Sequence, residues 1–313
     1  MLSYIVKRVV AGLVLAALVS FISFLLLSLS FDSVVRGILG SGANPSSIAA
    51  MKAKLGFDRS VVVQYADWIE GVFRGDFGVS LFGSEPVGQA IVARLGVTLS
   101  VVLSALVLST VVSVALGVLA ATRGGMVDRF AQGASLFGYV VPNLLIAVSL
   151  VAVFAVHLRV LPAGGYTPPA ENFSRWLSSI TIPVISLSVS SIAALTAQVR
   201  GSVADELRKD YVRTLRTRGL PSRSIVLKHV LRNAAGPALT VLSIEFISML
   251  GGALIMEKIF ALPGYGTLAF NSSLRGDIPM ILGITVFGVL LVVIVNLVVD
   301  IVNGYLKPKA RLH

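Results

Sequence analysis

Asp210-Tyr211-Val212-Arg213-Thr214-Leu215-Arg216-Thr217-Arg218-Gly219-Leu220 is a basic stretch strung between two segments apolar enough to cross a bilayer. Residues Asp205 to Arg218 are helix-compatible, with Asp205 and Lys209 spaced for an i,i+4 pair. Gly219 can stop that helix in the left-handed conformation other residues avoid, and Pro221 opposes its continuation. Ser222 then reads as the N-cap of a second helix, Ile225 to Ala235, running toward the next apolar segment at Pro237. Tyr211, Val212 and Leu215 form a small apolar face among Arg213, Arg216 and Arg218. A loop of this kind has two readings: an orientation determinant touching anionic lipid, or a handle for another protein.

The rest of the chain supports the bilayer. Of its 313 residues 56% are hydrophobic and 13% charged, with a mean hydropathy of +0.90, which exposes too much apolar surface for water unless lipid covers it. An all-α integral membrane protein is expected. Cysteine is absent, which excludes disulfides and thiolate metal sites. Six apolar runs are candidate spans: Val9–Phe31, Val97–Ala121, Ala134–Val156, Ile180–Gln198, Pro237–Met256 and Pro279–Val299. The first, as a helix, extends about 35 Å and crosses the hydrocarbon core. Lys7 and Arg8 before it mimic a signal peptide, but the run exceeds the usual hydrophobic region of about 7–15 residues and lacks a clear cleavage site, so it reads as a retained anchor.

Six spans place both termini on one side. With the N-terminus cytoplasmic, 16 of the 26 Lys and Arg fall inside, nine of them between Arg200 and Arg232 and three at Lys307, Lys309 and Arg311. Six of the ten outside lie in one long loop that carries little weight under the positive-inside rule, leaving 16 against 4. The net charge of +11 therefore reads as cytoplasmic loops, and without an aromatic stacking platform it gives nucleic acid little support. The chain divides into residues 1–31, with the first span; an extracytoplasmic loop, 32–95; a five-helix core, 96–303, containing the cytoplasmic loop 199–236; and a tail, 304–313.

In the outer loop, Gly40, Gly42, Asn44 and Pro45 read as a flexible lead-in. Val61, Val62, Tyr65, Trp68, Ile69, Val72 and Phe73 then recur at helical spacing, as an amphipathic helix that Gly75-Asp76-Phe77-Gly78 ends. A structural lid and a dock for an external partner both fit it.

No catalytic constellation is visible. A Gly-rich loop ending in Lys-Ser/Thr is lacking, and His157, His229 and His313 are scattered. Glu245 is the acidic residue well inside an apolar run, a position that is functional by default. It either faces a pathway, where it would attract a cationic amino terminus, or is satisfied by neighbouring Ser and Thr. Asn143 beside Pro142, and Asn296 with Asp300, fit packing or kink roles, with Asn143 kept as a second pathway candidate. Ser186, Ser188, Ser190 and Ser191 favour close helix contact in the fourth run, and Gly251-Gly252 permit tight approach in the fifth.

The helix–Gly–helix block resembles the cytoplasmic loop of bacterial ABC importer permeases, in the dipeptide/oligopeptide/nickel branch. Arg213-Thr214-Leu215 fall where the general family has Glu-Ala-Ala, and Gly219 falls on its glycine. Of the downstream Ile-x-Leu-Pro only Leu231 matches, with His229 and Arg232 at the flanks, a departure from the sugar-type permeases that fits the peptide branch. Tyr4-Ile5-Val6-Lys7-Arg8, Leu55-Gly56-Phe57-Asp58 with Gln64-Tyr65, and Leu161-Pro162 with Gly164-Gly165-Tyr166 are similar to further family stretches. Most specific is Met256-Glu257-Lys258-Ile259-Phe260-Ala261-Leu262-Pro263-Gly264-Tyr265-Gly266, which resembles the family's Glu-x-x-Phe-x-x-Pro-Gly-x-Gly. The resemblance covers nearly the whole chain.

It implies a six-span type I ABC importer permease fold and a non-catalytic, first-permease (B-type) subunit in a bacterial cell membrane. The loop Asp210–Leu220 would be the coupling helix seated in an ATPase groove. Implied partners are a second homologous permease in a heterodimer, two cytoplasmic ATPase domains that bind the ATP and magnesium, an external solute-binding protein and membrane lipid; this chain itself takes no cofactor. Peptide is the implied cargo, with nickel or glutathione as alternatives. A secondary transporter driven by an ion gradient would need a membrane relay for which Glu245 alone is thin, and a scaffold would bind through the basic loop without nucleotide-dependent transport.

Overall fold

The computed structural model describes residues 2–40 and 43–306, with the side chains of 6–40 and 43–305. Gly42, the side chains of Tyr4 and Ile5, and the tail cations Lys307, Lys309 and Arg311 with His313 lie outside the described residues. Helices follow one another along the chain: α1 Leu2–Ser28, α2 Phe31–Leu39, α3 Pro45–Leu55, α4 Val61–Phe73, α5 Val87–Arg123, α6 Gly125–Val140 and α7 Asn143–Leu150. After a π-helical turn at Val151–His157 come α8 Phe173–Leu207, α9 Asp210–Thr217, and the single turn α10 Ser222–Ser224. A second π-helical stretch, Ile225–Val230, leads into α11 Leu231–Ile259, followed by α12 Tyr265–Arg275 and α13 Ile278–Leu306. Among the described residues five helical stretches are long and apolar enough to span a bilayer, and the bent pair α6 with α7 brings the total to six.

That pair corrects the third run, Ala134–Val156, from one rod to two helices bent by 94°. The cause is local. Pro142 has no N–H to give and holds Val141 in extended backbone, which ends α6 and starts α7. The first span is shifted toward the N-terminus, Val6–Ser28 in place of Val9–Phe31, since α1 stops at Ser28 and Phe31 opens α2.

The chain forms two compact units. One comprises residues 1–97 and 263–294. In it Gly12 of α1 meets Val293 of α13 so closely that a Cβ would overlap its methyl groups. The amphipathic helix is α4, Val61–Phe73, and it docks on α1: the Tyr65 hydroxyl donates to the Ala17 carbonyl at 3.0 Å and shares a 2.8 Å hydrogen bond with Ser20. Val61, Tyr65 and Trp68 pack beside Phe24 and Phe31, while Val62 and Phe73, assigned to the apolar face from spacing, point outward. Of the lead-in, Asn44 and Pro45 begin a helix, α3. Asn44 caps α3 by accepting from the Ser47 N–H, and the Ser47 hydroxyl accepts from Asn44 in return. Asp277, nearly fully buried, accepts from the Ser80 hydroxyl and the Leu81 N–H and so fixes the loop ahead of α5.

The other unit comprises residues 98–262 and 295–313. Its centre is α8, 61% buried over its most apolar stretch against 22–33% for the other long spans. Small residues admit the neighbours. Ser109 and Ser113 of α5 donate to the carbonyls of Ser188 and Ile192 at 3.4 and 3.1 Å, and Ser188 donates back to Ala105 at 3.2 Å. Gly117 lies against Val199, and Gly252 of α11 against Leu187; Gly251 meets nothing.

Candidate functional site

The basic loop is built differently from its sequence reading in three details. Helix α8 runs on through Leu207, and α9 starts only after Arg208 and Lys209, so Asp205–Arg218 is not one helix. Lys209 pairs with Glu206, not Asp205. Pro221 is the N-cap of the following turn and Ser222 its first residue, and α10, the π-helical stretch and α11 form one continuous rod from Ser222 to Ile259. Gly219 takes the left-handed conformation, φ +77°, with open space where a Cβ would stand. Its N–H and that of Leu220 close the end of α9 onto the carbonyls of Arg216 and Leu215.

Helix α9 turns its apolar face inward. Val212 is fully buried with Val199, Val203, Ile225, Val230 and Ala234, and Tyr211, Leu215 and Leu220 pack against that cluster. Asp210, Arg213, Thr214, Arg216 and Arg218 are exposed. Beneath the helix lies buried Glu206. Lys209 Nζ donates to its Oε1, the Tyr211 hydroxyl donates to its Oε2 at 2.8 Å, and Asn233 Nδ2 donates to the Tyr211 hydroxyl at 3.2 Å. The hydrogen bond to Glu206 holds the Lys209 ammonium above its ordinary pKa, and burial raises the Tyr211 phenol. Sequence reading missed Glu206; its signal was an acidic residue within reach of a lysine and a tyrosine at the end of a span.

Inside the bundle, Ser191 of α8 donates to Glu245 Oε2 of α11. Asn143 stands on the first turn after the bend, and its Oδ1 is buried without a hydrogen-bond partner among the described residues. Among the described residues no hydrogen bond links it to Glu245. Arg200 of α8 grips Asp128 of α6 in a fork, Nε and Nη2 each 2.6 Å from an oxygen. Beside this pair a cavity of about 410 Å³ opens between α6 and α8, lined by Gln132, Ser135, Tyr139, Thr196 and Arg200 among small apolar residues.

The motif at the end of α11 divides between the two units. Glu257 is buried and accepts from the Thr98 hydroxyl, and the Leu262 N–H donates back to the Glu257 carbonyl at 2.9 Å, folding the chain over Ala261, which sits at φ +50°. Phe260 is buried, and its carbonyl accepts from the Gly165 N–H at 2.8 Å; a Cβ on Gly164 would come within 2.8 Å of the same oxygen. The Gly164-Gly165 motif and the Glu257–Phe260 motif are thus one site. Pro263, Gly264 and Gly266 belong to the other unit, where Gly264 caps α12 and Gly266 is buried. Tyr265 there donates to the Ile284 carbonyl, and burial pushes its phenol far up. Among the described residues no three His, Cys, Asp or Glu side chains are placed to hold a metal ion.

Comparison with known proteins agrees along the whole chain. Residues 113–312 match the profile of the binding-protein-dependent transport system inner membrane component, and residues 1–102 match its N-terminal counterpart. A probable peptide ABC transporter permease, y4tP of Sinorhizobium fredii, is 36% identical over 309 residues, covering 98% of this chain and 99% of its own. The dipeptide transport system permease DppB of Escherichia coli is 30% identical and the oligopeptide permease AppB of Bacillus subtilis 29%, each pairing covering 99% of both chains. The MetNI methionine ABC transporter, in inward-facing conformations, superposes with a TM-score of 0.58 at 17% identity, over 72% of this chain and 100% of that one, which speaks for the fold alone. The order of helices, the buried motifs and full-length relatives therefore lead to one assignment: the chain belongs to the binding-protein-dependent transport system inner membrane components, multi-pass permease subunits of ABC transporters.

Proposed function

We propose that this chain forms half of the translocation pathway of an ATP-driven peptide importer, with α9 as the coupling helix that receives the ATPase stroke. The observation that carries this reading is the two-sidedness of α9: Val212 is locked into the bundle while Arg213, Arg216 and Arg218 are exposed. A helix built that way transmits a push on its outer face to α8 and α11. Peptide as cargo rests on the names borne by full-length relatives. The chain is read as the first permease of a heterodimer, with both termini and α9 cytoplasmic and with the loop 32–95 facing an external binding protein. ATP and magnesium belong to two partner ATPase domains. Nucleotide drives transport only through its differential affinity for inward- and outward-open states, so the permease needs a lever and no catalytic group. Glu245 bonded to Ser191 gives an ion relay no further member.

The test is gentle purification from the native membrane with quantitative mass spectrometry of what accompanies the chain, followed by uptake into liposomes. A second six-span permease, two ATPase domains and a binding protein in stoichiometric amounts, with ATP-dependent peptide uptake, are the expected result. Nickel or glutathione on the binding protein would replace the cargo, and transport by this chain alone without ATP would overturn the reading. Gly219→Val, strained at φ +77° but clashing with nothing, is expected to uncouple uptake while leaving insertion intact.

A further inference from the structure

We infer that Glu206 is the positioning residue that sets the angle of α9. Only Arg208 and Lys209 separate α8 from α9, and Lys209, the N-cap of α9, makes no side-chain capping hydrogen bond. The Arg208 and Lys209 N–H groups close this link onto the carbonyls of Asp205 and Glu206, and beyond them the heading of the two-turn helix still turns with the backbone of Lys209. Apolar packing of Val212 constrains depth but, being non-directional, not heading. The directional side-chain contacts converge on one carboxylate. Lys209 occupies one oxygen of Glu206 and Tyr211 the other, and Asn233 of α11 holds the Tyr211 hydroxyl from the opposite side. The helix is thereby tied to the end of α8 and to the beginning of α11 through a single phenol. Burying a carboxylate is costly unless its oxygens are occupied, so the charge has one arrangement in which it is tolerated, and that arrangement fixes α9.

The inference rests on the coupling reading proposed above and goes further by naming the group that makes the lever rigid. Its test uses the assembled transporter in liposomes and measures peptide taken up per ATP hydrolysed in Glu206→Gln, Tyr211→Phe and Gly219→Val. Glu206→Gln and Tyr211→Phe are expected to lower that ratio roughly tenfold with the ATPase subunits still bound, the scale of losing one hydrogen bond to a buried charge. Glu206→Asp should recover part of it. The cysteine-free chain also accepts spin labels at Thr214 and Leu227, both exposed, and the narrow distance distribution between them should broaden in Glu206→Gln. A variant that merely weakened the fold would lower assembly and leave the distance unchanged in the complexes that form. If the glutamate variant fails to insert, Tyr211→Phe, which keeps the ring, carries the test. An unchanged ratio and distance in both, with Gly219→Val uncoupled, would overturn the role of Glu206 alone; an unchanged ratio in all three would overturn the coupling reading itself.

Discussion

Two glycines of this chain make opposite demands, and their substitutions separate crowding from conformation. Gly164 lies where a Cβ would stand 2.8 Å from the Phe260 carbonyl oxygen, a backbone atom with no freedom to yield. Gly164→Ala should therefore loosen the tie between that loop and the end of α11 and destabilise the protein by about 1–3 kcal/mol, read as a lower thermal unfolding midpoint in detergent. An unaltered midpoint would refute the crowding. Gly219 has open space around it and a left-handed backbone, so its valine variant is strained by about 1–2 kcal/mol without any contact being lost. Glu245 is a third case: Glu245→Gln keeps an acceptor for Ser191 and removes the charge. Assembly should be preserved, and a selective loss of cationic peptides in a competition assay would assign the charge to cargo. At this scale the sequence was partly legible. Glycine and proline announce their conformations, whereas Glu206 looked like one more surface acid, because burial is decided by elements distant in sequence.

Among the elements, α4 has the bounds its periodicity marks, but only part of the apolar face: Val61, Tyr65 and Trp68 reach a core, while Val62 and Phe73 face outward. Of the lead-in read as flexible, Asn44 and Pro45 proved to begin the capped helix α3, whose capping box Asn44-x-x-Ser47 is unusual in using serine at its far end. In α9 the spacing revealed an apolar stripe and a basic stripe but could not say which would find a partner within the chain. The structure assigns the apolar stripe to the bundle, so any protein docked on α9 meets arginines. Arg213→Glu with Arg216→Glu is expected to weaken ATPase binding, and binding to the unaltered helix should fall as salt rises; salt-independent association would contradict a charged contact. On α2 and α3, Asp32 is held below its ordinary value of 3.8 by its hydrogen bond and attraction to Lys52. A carboxylate lowered in the folded state contributes stability above 3.8 that is lost as pH falls through the lowered value. Limited proteolysis of the segment 40–60 should accelerate only at pH below about 4, and Lys52→Met should abolish that step.

For the whole molecule, composition and apolar runs sufficed for an all-helical membrane protein, and motif order sufficed for the family. The bend in the third run was not legible as an angle, since Val141-Pro142 permits a kink without dictating its size. The proposed orientation predicts that reporter fusions after residue 4 and at the end of the chain are active only on the cytoplasmic side, and that one inserted near Gly75 is active only outside; any reversal contradicts the charge count. The reciprocal serine contacts between α5 and α8 bear on how such a molecule moves. Ser109 and Ser113 reach one way and Ser188 the other, each to a main-chain oxygen that its helix holds still. Sliding by one turn, about 5.4 Å, would break all three together, and although Ser188 keeps the Val184 carbonyl of its own helix, lipid offers nothing in place of the bonds across. The two helices thus act as a dowelled joint, stiff in shear, that any rearrangement of the bundle would have to carry as one beam.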